Sequence, residues 1–141
     1  MLHFCQAFHG RSGYTLSLTN TFDPRKTELF PKFDWPRISN PKIVFPLPDH
    51  LAEVEAAEAR ALDEIGAAIA RHGDDIACLI IEPIQSEGGD NHFRAEFLHA
   101  LRRLADEHDF LLIFDEVQTG LGLTGTMWAW QGLGVEPDLF A

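Results

Sequence analysis

Two short apolar runs, each preceded by an amphipathic stretch of helical period, constrain this chain more than any other feature. Leu51, Val54, Ala61, Leu62, Ile65 and Ile69 fall on one helix face, with Asp49 as its expected N-cap. Gly73, just past Arg71 and His72, is its expected stop. The run from Ile76 to Ile81 suits a strand buried on both faces. Phe97, Leu98, Leu101, Leu104 and Ala105 then repeat the helical spacing, and the run from Phe110 to Phe114 repeats the buried strand. Helix, strand, helix, strand predicts an α/β fold containing a right-handed crossover unit in a parallel sheet. Ligands bind beyond the carboxyl ends of such strands, and Glu82 and Asp115 each directly follow one of the runs. Two carboxylates are therefore expected at one edge of the sheet.

The first part of the chain is different. Six of the eight prolines (Pro24, Pro31, Pro36, Pro41, Pro46 and Pro48) lie there, interleaved with Phe22, Phe30, Phe33, Trp35 and Phe45. Proline confines itself and its predecessor to extended or turn geometry, which excludes a long helix. So many large rings also need a surface to cover them, which argues against disorder. The expected organisation is an ordered, extended segment over residues 1–48, packed on another segment or subunit, followed by an α/β crossover unit over 49–141.

Charge and composition remove several classes of function. Eleven basic residues against 22 acidic ones give a net charge of −11, with no basic cluster to follow a nucleic-acid backbone. No apolar run approaches the ~20 residues of a membrane span, and no signal peptide opens the chain, so a cytoplasmic protein without a membrane partner is expected. Cys5 and Cys78 read as reduced thiols. His92, His99 and His108 form no H-x-x-x-H pair and have no nearby cysteine, so no metal site is expected. A serine-hydrolase elbow, G-x-S-x-G, does not occur. Gly120-Leu121-Gly122-Leu123-Thr124-Gly125 has the letters of a dinucleotide fingerprint, but Asp115 to Thr119 separate it from the strand and only a short helical signal follows. Asp138 is the one acid near the distance expected for a ribose contact.

Two segments carry a positive signal. Glu82-Pro83-Ile84-Gln85-Ser86-Glu87-Gly88-Gly89-Asp90 places polar groups and glycines directly after a buried strand, where glycine lets the backbone approach a ligand or simply turn. In Phe114-Asp115-Glu116-Val117-Gln118-Thr119-Gly120, an acid at a strand end precedes an amide by three residues. A carboxylate and an amide so placed suit a polarised heteroaromatic ring: the acid stabilises a protonated ring nitrogen and the amide bonds a ring hydroxyl. Asp115, if enclosed, needs a positive group facing it, and a protonated pyridine supplies one.

Together with Ala7-Phe8-His9-Gly10-Arg11-Ser12-Gly13, these segments resemble the successive signatures of class III aminotransferases, in the family's order. Within that class, Arg11-Ser12-Gly13-Tyr14-Thr15 and the stretch from Phe30 to Ile38 look most like L-lysine 6-aminotransferases, whereas Glu82 to His92 is shared equally with 4-aminobutyrate aminotransferases. The resemblance implies the large cofactor-binding domain of a fold-type-I transferase, pyridoxal 5'-phosphate as cofactor, and a homodimer. The implied reaction passes the ε-amino group of L-lysine to 2-oxoglutarate, giving glutamate and 2-aminoadipate semialdehyde. It also implies roles. Phe8 stacks on the pyridine ring, with His9 beside it in the cofactor site. Asp115 pairs with the ring nitrogen, Gln118 contacts the ring hydroxyl, and Glu82 supports the pocket from the strand end. Arg11 grips the substrate α-carboxylate, and Glu87 acts as a gate that releases a distant arginine for 2-oxoglutarate. The family's Schiff-base lysine and its phosphate-binding loop match nothing in this chain, so an internal piece, inactive by itself, is expected.

Overall fold

The computed structural model describes residues 1–141. Its elements in chain order are β1 (His3–Phe4), α1 (Thr15–Leu18), β2 (Arg37–Ile38), α2 (Leu47–His72), β3 (Cys78–Ile81), β4 (Ile84–Gln85), β5 (Asn91–His92), α3 (Ala95–His108), β6 (Leu111–Phe114), α4 (Ala129–Leu133) and β7 (Leu139–Phe140). Strands β3 and β6 pair in parallel, with Ile81 opposite Phe114, and β7 adds in parallel to the free side of β6. Strand β2 pairs in parallel with β1, and a Leu2–Leu79 bridge joins that pair to β3. All five strands therefore point the same way, in the order β2-β1-β3-β6-β7.

Parallel strands must be covered on both faces, and the burial follows that demand. Leu79, Ile81, Leu112 and Phe114 are fully buried, together with Leu2 and with Phe4 of the first strand. Helix α2 presents Val54, Glu58, Ala61, Ile65 and Ala68, while α3 presents Phe97, Leu98, Leu101 and Ala105. One cluster of 18 buried residues runs through these elements. It includes Leu2, Phe4 and Ile38, so the proline-rich segment completes the sheet as well as lying over it.

Two sequence expectations need correction. Helix α2 begins at Leu47 with Pro46 as its N-cap, so Asp49 lies inside the first turn. Pro48 is tolerated there because a first-turn N–H has no intrahelical partner, and the Asp49 carboxylate suits the positive end of the helix dipole. Leu51, expected on the packed face, is 39% exposed, because the N-terminal half of this 26-residue helix buries only Val54 and Glu58. Gly73 does end the helix, with φ 51° and its N–H donating to the Ile69 carbonyl.

The glycine-rich stretch after β3 is a small antiparallel hairpin, with Ile84 opposite His92 and Gln85 opposite Asn91. A partly buried amide network holds it against the loop after β1. Asn40 Nδ2 donates to the side-chain oxygens of Gln6 and Gln85, Asn91 Nδ2 donates to that of Gln85, and Gln85 Nε2 donates to the Cys5 carbonyl. Gly88 is required by this packing, since a Cβ there would stand 2.1 Å from the Gln6 carbonyl oxygen.

Phe22, Phe30, Phe33 and Phe45 are each more than half exposed, so most of the early aromatics remain uncovered by this chain. Tyr14, Phe33 and Trp35 form one near-parallel aromatic cluster, with ring centroids 5.1, 4.9 and 6.4 Å apart. No helix is long and apolar enough to cross a membrane.

Candidate active site

Parallel strands bring all their carboxyl ends to one edge, and the polar residues gather there. Glu82 follows β3 and Asp115 follows β6, side by side because Ile81 and Phe114 are in register. Asp115 N–H donates to the Ile81 carbonyl at 2.9 Å, which continues the ladder into the site. The loop after β1 reaches the same edge and touches both acids. Phe8 N–H donates to Glu82 Oε1 at 2.8 Å, and His9 Nδ1 lies 2.7 Å from Asp115 Oδ2. Thr19 fixes the loop by accepting from His9 N–H at 3.0 Å and donating to the Gly10 carbonyl at 2.7 Å.

The His9–Asp115 contact has one direction when the acid is a carboxylate: a carboxylate only accepts, so Nδ1 of His9 is then the donor. The imidazole is 1% exposed and the Asp115 side chain 12% exposed. Nε2 of His9 is buried without a partner. Behind it, His3 is also buried, and Arg37 Nε donates to its Nε2 at 3.1 Å. Burial, with the Arg37 charge second, depresses the His3 pKa to about 3, so this imidazole is neutral at physiological pH.

Glu82 is 3% exposed. Burial raises its pKa to about 7, the Phe8 N–H and His9 oppose that rise, and the charges of Asp115 and Glu87 add to it. Neighbouring carboxylates in one enclosure thus divide into an acid that holds its proton near neutrality and one that accepts from His9 and Val117. The stability consequence has a definite sign. Well below the ordinary 4.5 of a glutamate, Glu82 is neutral in folded and unfolded chains alike. Between 4.5 and about 7 the unfolded chain releases the proton first, so folding loses stability as pH rises, and the loss levels off above that window. Glu82→Gln keeps an acceptor for Phe8 N–H and removes this loss. The variant is expected to match the parent in acid and to exceed it at about pH 8 by ~3 kcal/mol. Thermal unfolding across that range tests this, and parallel stability curves would contradict it.

The expected site residues do not all converge. Phe8, His9, Glu82 and Asp115 form one contact group, and the Arg11 guanidinium lies over the Phe8 ring, 5.6 Å from its centroid. Arg11 is exposed and forms no ion pair. Gln118 is exposed, with no side-chain hydrogen bond. Glu87 stands apart, its carboxylate 3.7 Å from Lys26 Nζ, with both groups more than 40% exposed. Glu116 was not anticipated. It is 2% exposed and accepts from Thr119 Oγ1 and from the backbone N–H groups of Ala129 and Trp130. A threonine three residues after the acid was the available signal, a spacing at which side chains close local turns.

The G-x-G-x-x-G letters open no long helix. Residues 119–128 are turns and bends, and the helix that follows, α4, has five residues. Gly120 is needed for a different reason: a Cβ there would meet the Trp128 ring at 2.5 Å. Asp138 accepts from Arg102 and from Leu112 N–H, each at 2.7 Å, and so ties β6 to its surroundings.

A cationic heteroaromatic group fits this edge. Asp115 has no ionic partner except His9, and no arginine or lysine of the chain faces it. Phe8 is tied to Glu82 through its backbone N–H. The class-III aminotransferase family pattern matches residues 1–141. This chain belongs to the class-III aminotransferases. The aminotransferase chain is 60% identical over 141 residues to an L-lysine-epsilon aminotransferase of Mycobacterium tuberculosis, covering all of this chain and 31% of that protein. It is 40% identical to a 4-aminobutyrate aminotransferase of Schizosaccharomyces pombe, covering 99% of this chain and 30% of that protein. The crystal structure of the lysine aminotransferase from M. tuberculosis in the internal aldimine form superposes with a TM-score of 0.93 at 58% identity, covering 99% of this chain and 32% of that one. The chain thus spans about a third of the length of the relatives it matches.

Proposed function

We propose that this chain supplies part of the pyridoxal 5'-phosphate site of a lysine ε-aminotransferase, which moves the ε-amino group of L-lysine to 2-oxoglutarate and yields glutamate. The observation that carries the reading is the His9–Asp115 pair at the sheet edge, a carboxyl group 2.7 Å from a buried imidazole and with no arginine or lysine partner in its own chain. Bound pyridoxal phosphate would supply the electron sink through which amino groups are exchanged.

The chain's own residues prepare that chemistry. Asp115 would hold a proton on the pyridine nitrogen. His9, with Nδ1 2.7 Å from Oδ2, orients the Asp115 carboxyl group. Glu82 accepts the Phe8 N–H and so fixes the ring that would lie against the cofactor. Gln118 would bond the ring hydroxyl. Arg11, exposed beside Phe8, would bind the lysine α-carboxylate through its planar donor fork. Glu87 would serve as the substrate gate; its exposed contact to Lys26 is of a kind worth only ~0–1 kcal/mol, so its carboxylate can change partners.

Residues 1–48 and 49–141 are read as parts of one large cofactor-binding domain in a cytoplasmic enzyme. The uncovered rings of Phe22, Phe30, Phe33 and Phe45 support a partner surface, in keeping with a homodimer. The experiment is a comparison of amine donors with 2-oxoglutarate as acceptor, using the full-length protein. The expected result is a kcat/KM for L-lysine at least about tenfold above that for 4-aminobutyrate. The reverse order would move the assignment to a 4-aminobutyrate or other ω-amino acid aminotransferase, the reading favoured by the shared stretch from Glu82 to His92.

A further inference from the structure

We propose that Glu116 is a positioning residue that fixes Asp115 and Gln118 toward the cofactor, an inference that rests on the pyridoxal phosphate site above. Glu116 differs from its neighbour Asp115 in facing inward: it is 2% exposed and has no arginine, lysine or histidine as an ionic partner. A carboxylate so enclosed is costly unless donors surround it, and here they do. Oε2 accepts from Thr119 Oγ1 at 2.6 Å and from Ala129 N–H at 2.9 Å, and Oε1 accepts from Trp130 N–H at 2.9 Å. The last two are the first N–H groups of α4, which have no intrahelical acceptor.

The backbone of the same residue closes the arrangement. The Glu116 carbonyl accepts from Thr119 and Gly120 N–H at 3.2 and 2.8 Å, while its own N–H donates to the Ala141 carbonyl at 3.0 Å. Residues 116–120 therefore form one turn, anchored to the start of α4 and to the residue after β7. The missing Cβ of Gly120 lets Trp128 close against that turn. Asp115 immediately precedes the turn, and Gln118 lies within it. Gln118 makes no side-chain hydrogen bond of its own, so the turn is what fixes its place. A rotation of the turn would move both groups proposed to contact the cofactor, although Glu116 itself would touch neither substrate nor cofactor.

A residue that only stapled the loop would change stability and leave the cofactor affinity of the folded protein alone. The test is a titration of the apo form of the full-length protein with pyridoxal phosphate, read by cofactor absorbance at a temperature where circular dichroism shows each variant folded. Glu116→Gln replaces an acceptor oxygen with a donor that opposes the N–H groups of α4, and its Kd is expected to rise about tenfold or more. Thr119→Val removes one donor while keeping the side-chain volume, and a smaller rise is expected. Thr119→Ser restores the hydroxyl and should restore the parent Kd. Faster hydrogen exchange at the Val117–Gly120 amides should accompany each rise. If Glu116→Gln does not fold, the Thr119 pair decides the matter. Unchanged affinity in the folded variants, with only a lower Tm, would overturn the positioning role and leave the proposed site standing. Failure of the parent protein to bind pyridoxal phosphate would overturn the site itself.

Discussion

Replacing Asp115 with Asn is expected to lower kcat by about a thousandfold or more while the fold survives, the equivalent of ~4 kcal/mol of lost transition-state stabilisation. The amide preserves the shape of the side chain and its hydrogen bond from Val117 N–H at 3.2 Å. It removes the negative charge, and with it the reason for a proton to remain on a pyridine nitrogen. His9 would be affected as well. Its Nδ1–H donates to a carboxylate at 2.7 Å and would meet a weaker, neutral acceptor. Steady-state rates with a circular-dichroism control separate loss of chemistry from loss of structure. Near-normal turnover in Asp115→Asn would make this carboxylate a bystander.

The second large effect concerns substrate choice. Lysine places its carboxylate farther from the reacting amine than 4-aminobutyrate does, so its anchor must stand away from the sheet edge. Arg11 meets that condition: it is exposed, unpaired, and held over Phe8 at 5.6 Å from the ring centroid. Arg11→Ala is expected to slow the lysine half-reaction by about tenfold to a hundredfold in kcat/KM, the loss of one charge-assisted contact to a carboxylate. The 2-oxoglutarate half-reaction should change far less, because Glu87 would govern that acceptor. Stopped-flow measurement of each half-reaction distinguishes the two, and equal losses in both would reduce Arg11 to a scaffold residue.

The parts of this fold visible in the sequence are those with a helical period or an unbroken apolar run. Helix α3 follows from apolar spacing over fourteen residues and strands β3 and β6 from short apolar runs, and their parallel pairing puts Glu82 and Asp115 where the order of helices and strands implied. Strands β1 and β2 were hidden because each is two residues long and pairs across more than thirty positions, leaving no local period to read. Helix α2 starts two residues before Asp49 because an uncapped Pro46 and a first-turn Pro48 serve where a side-chain cap was expected.

In the site the division is similar. Phe8, Glu82 and Asp115 stood in recognisable segments, whereas the contacts that join them, Phe8 to Glu82 across 74 positions and His9 to Asp115 across 106, follow only from the folded sheet. Glu116 was passed over because an inward glutamate looks like a surface one until its donors, at Thr119, Ala129 and Trp130, are placed around it. Gln118 and Glu87 remain apart from the contact group: Gln118 makes no side-chain hydrogen bond, and Glu87 contacts Lys26.

If the His9–Asp115 pair forms an anionic seat for a protonated ring nitrogen, the cofactor itself reports it. Pyridoxal phosphate labelled with nitrogen-15 in the ring, bound to the full-length protein, should show its nitrogen resonance in the protonated pyridinium range well above neutral pH, and Asp115→Asn should move it to the unprotonated range. A resonance already in the unprotonated range in the parent protein would contradict the account.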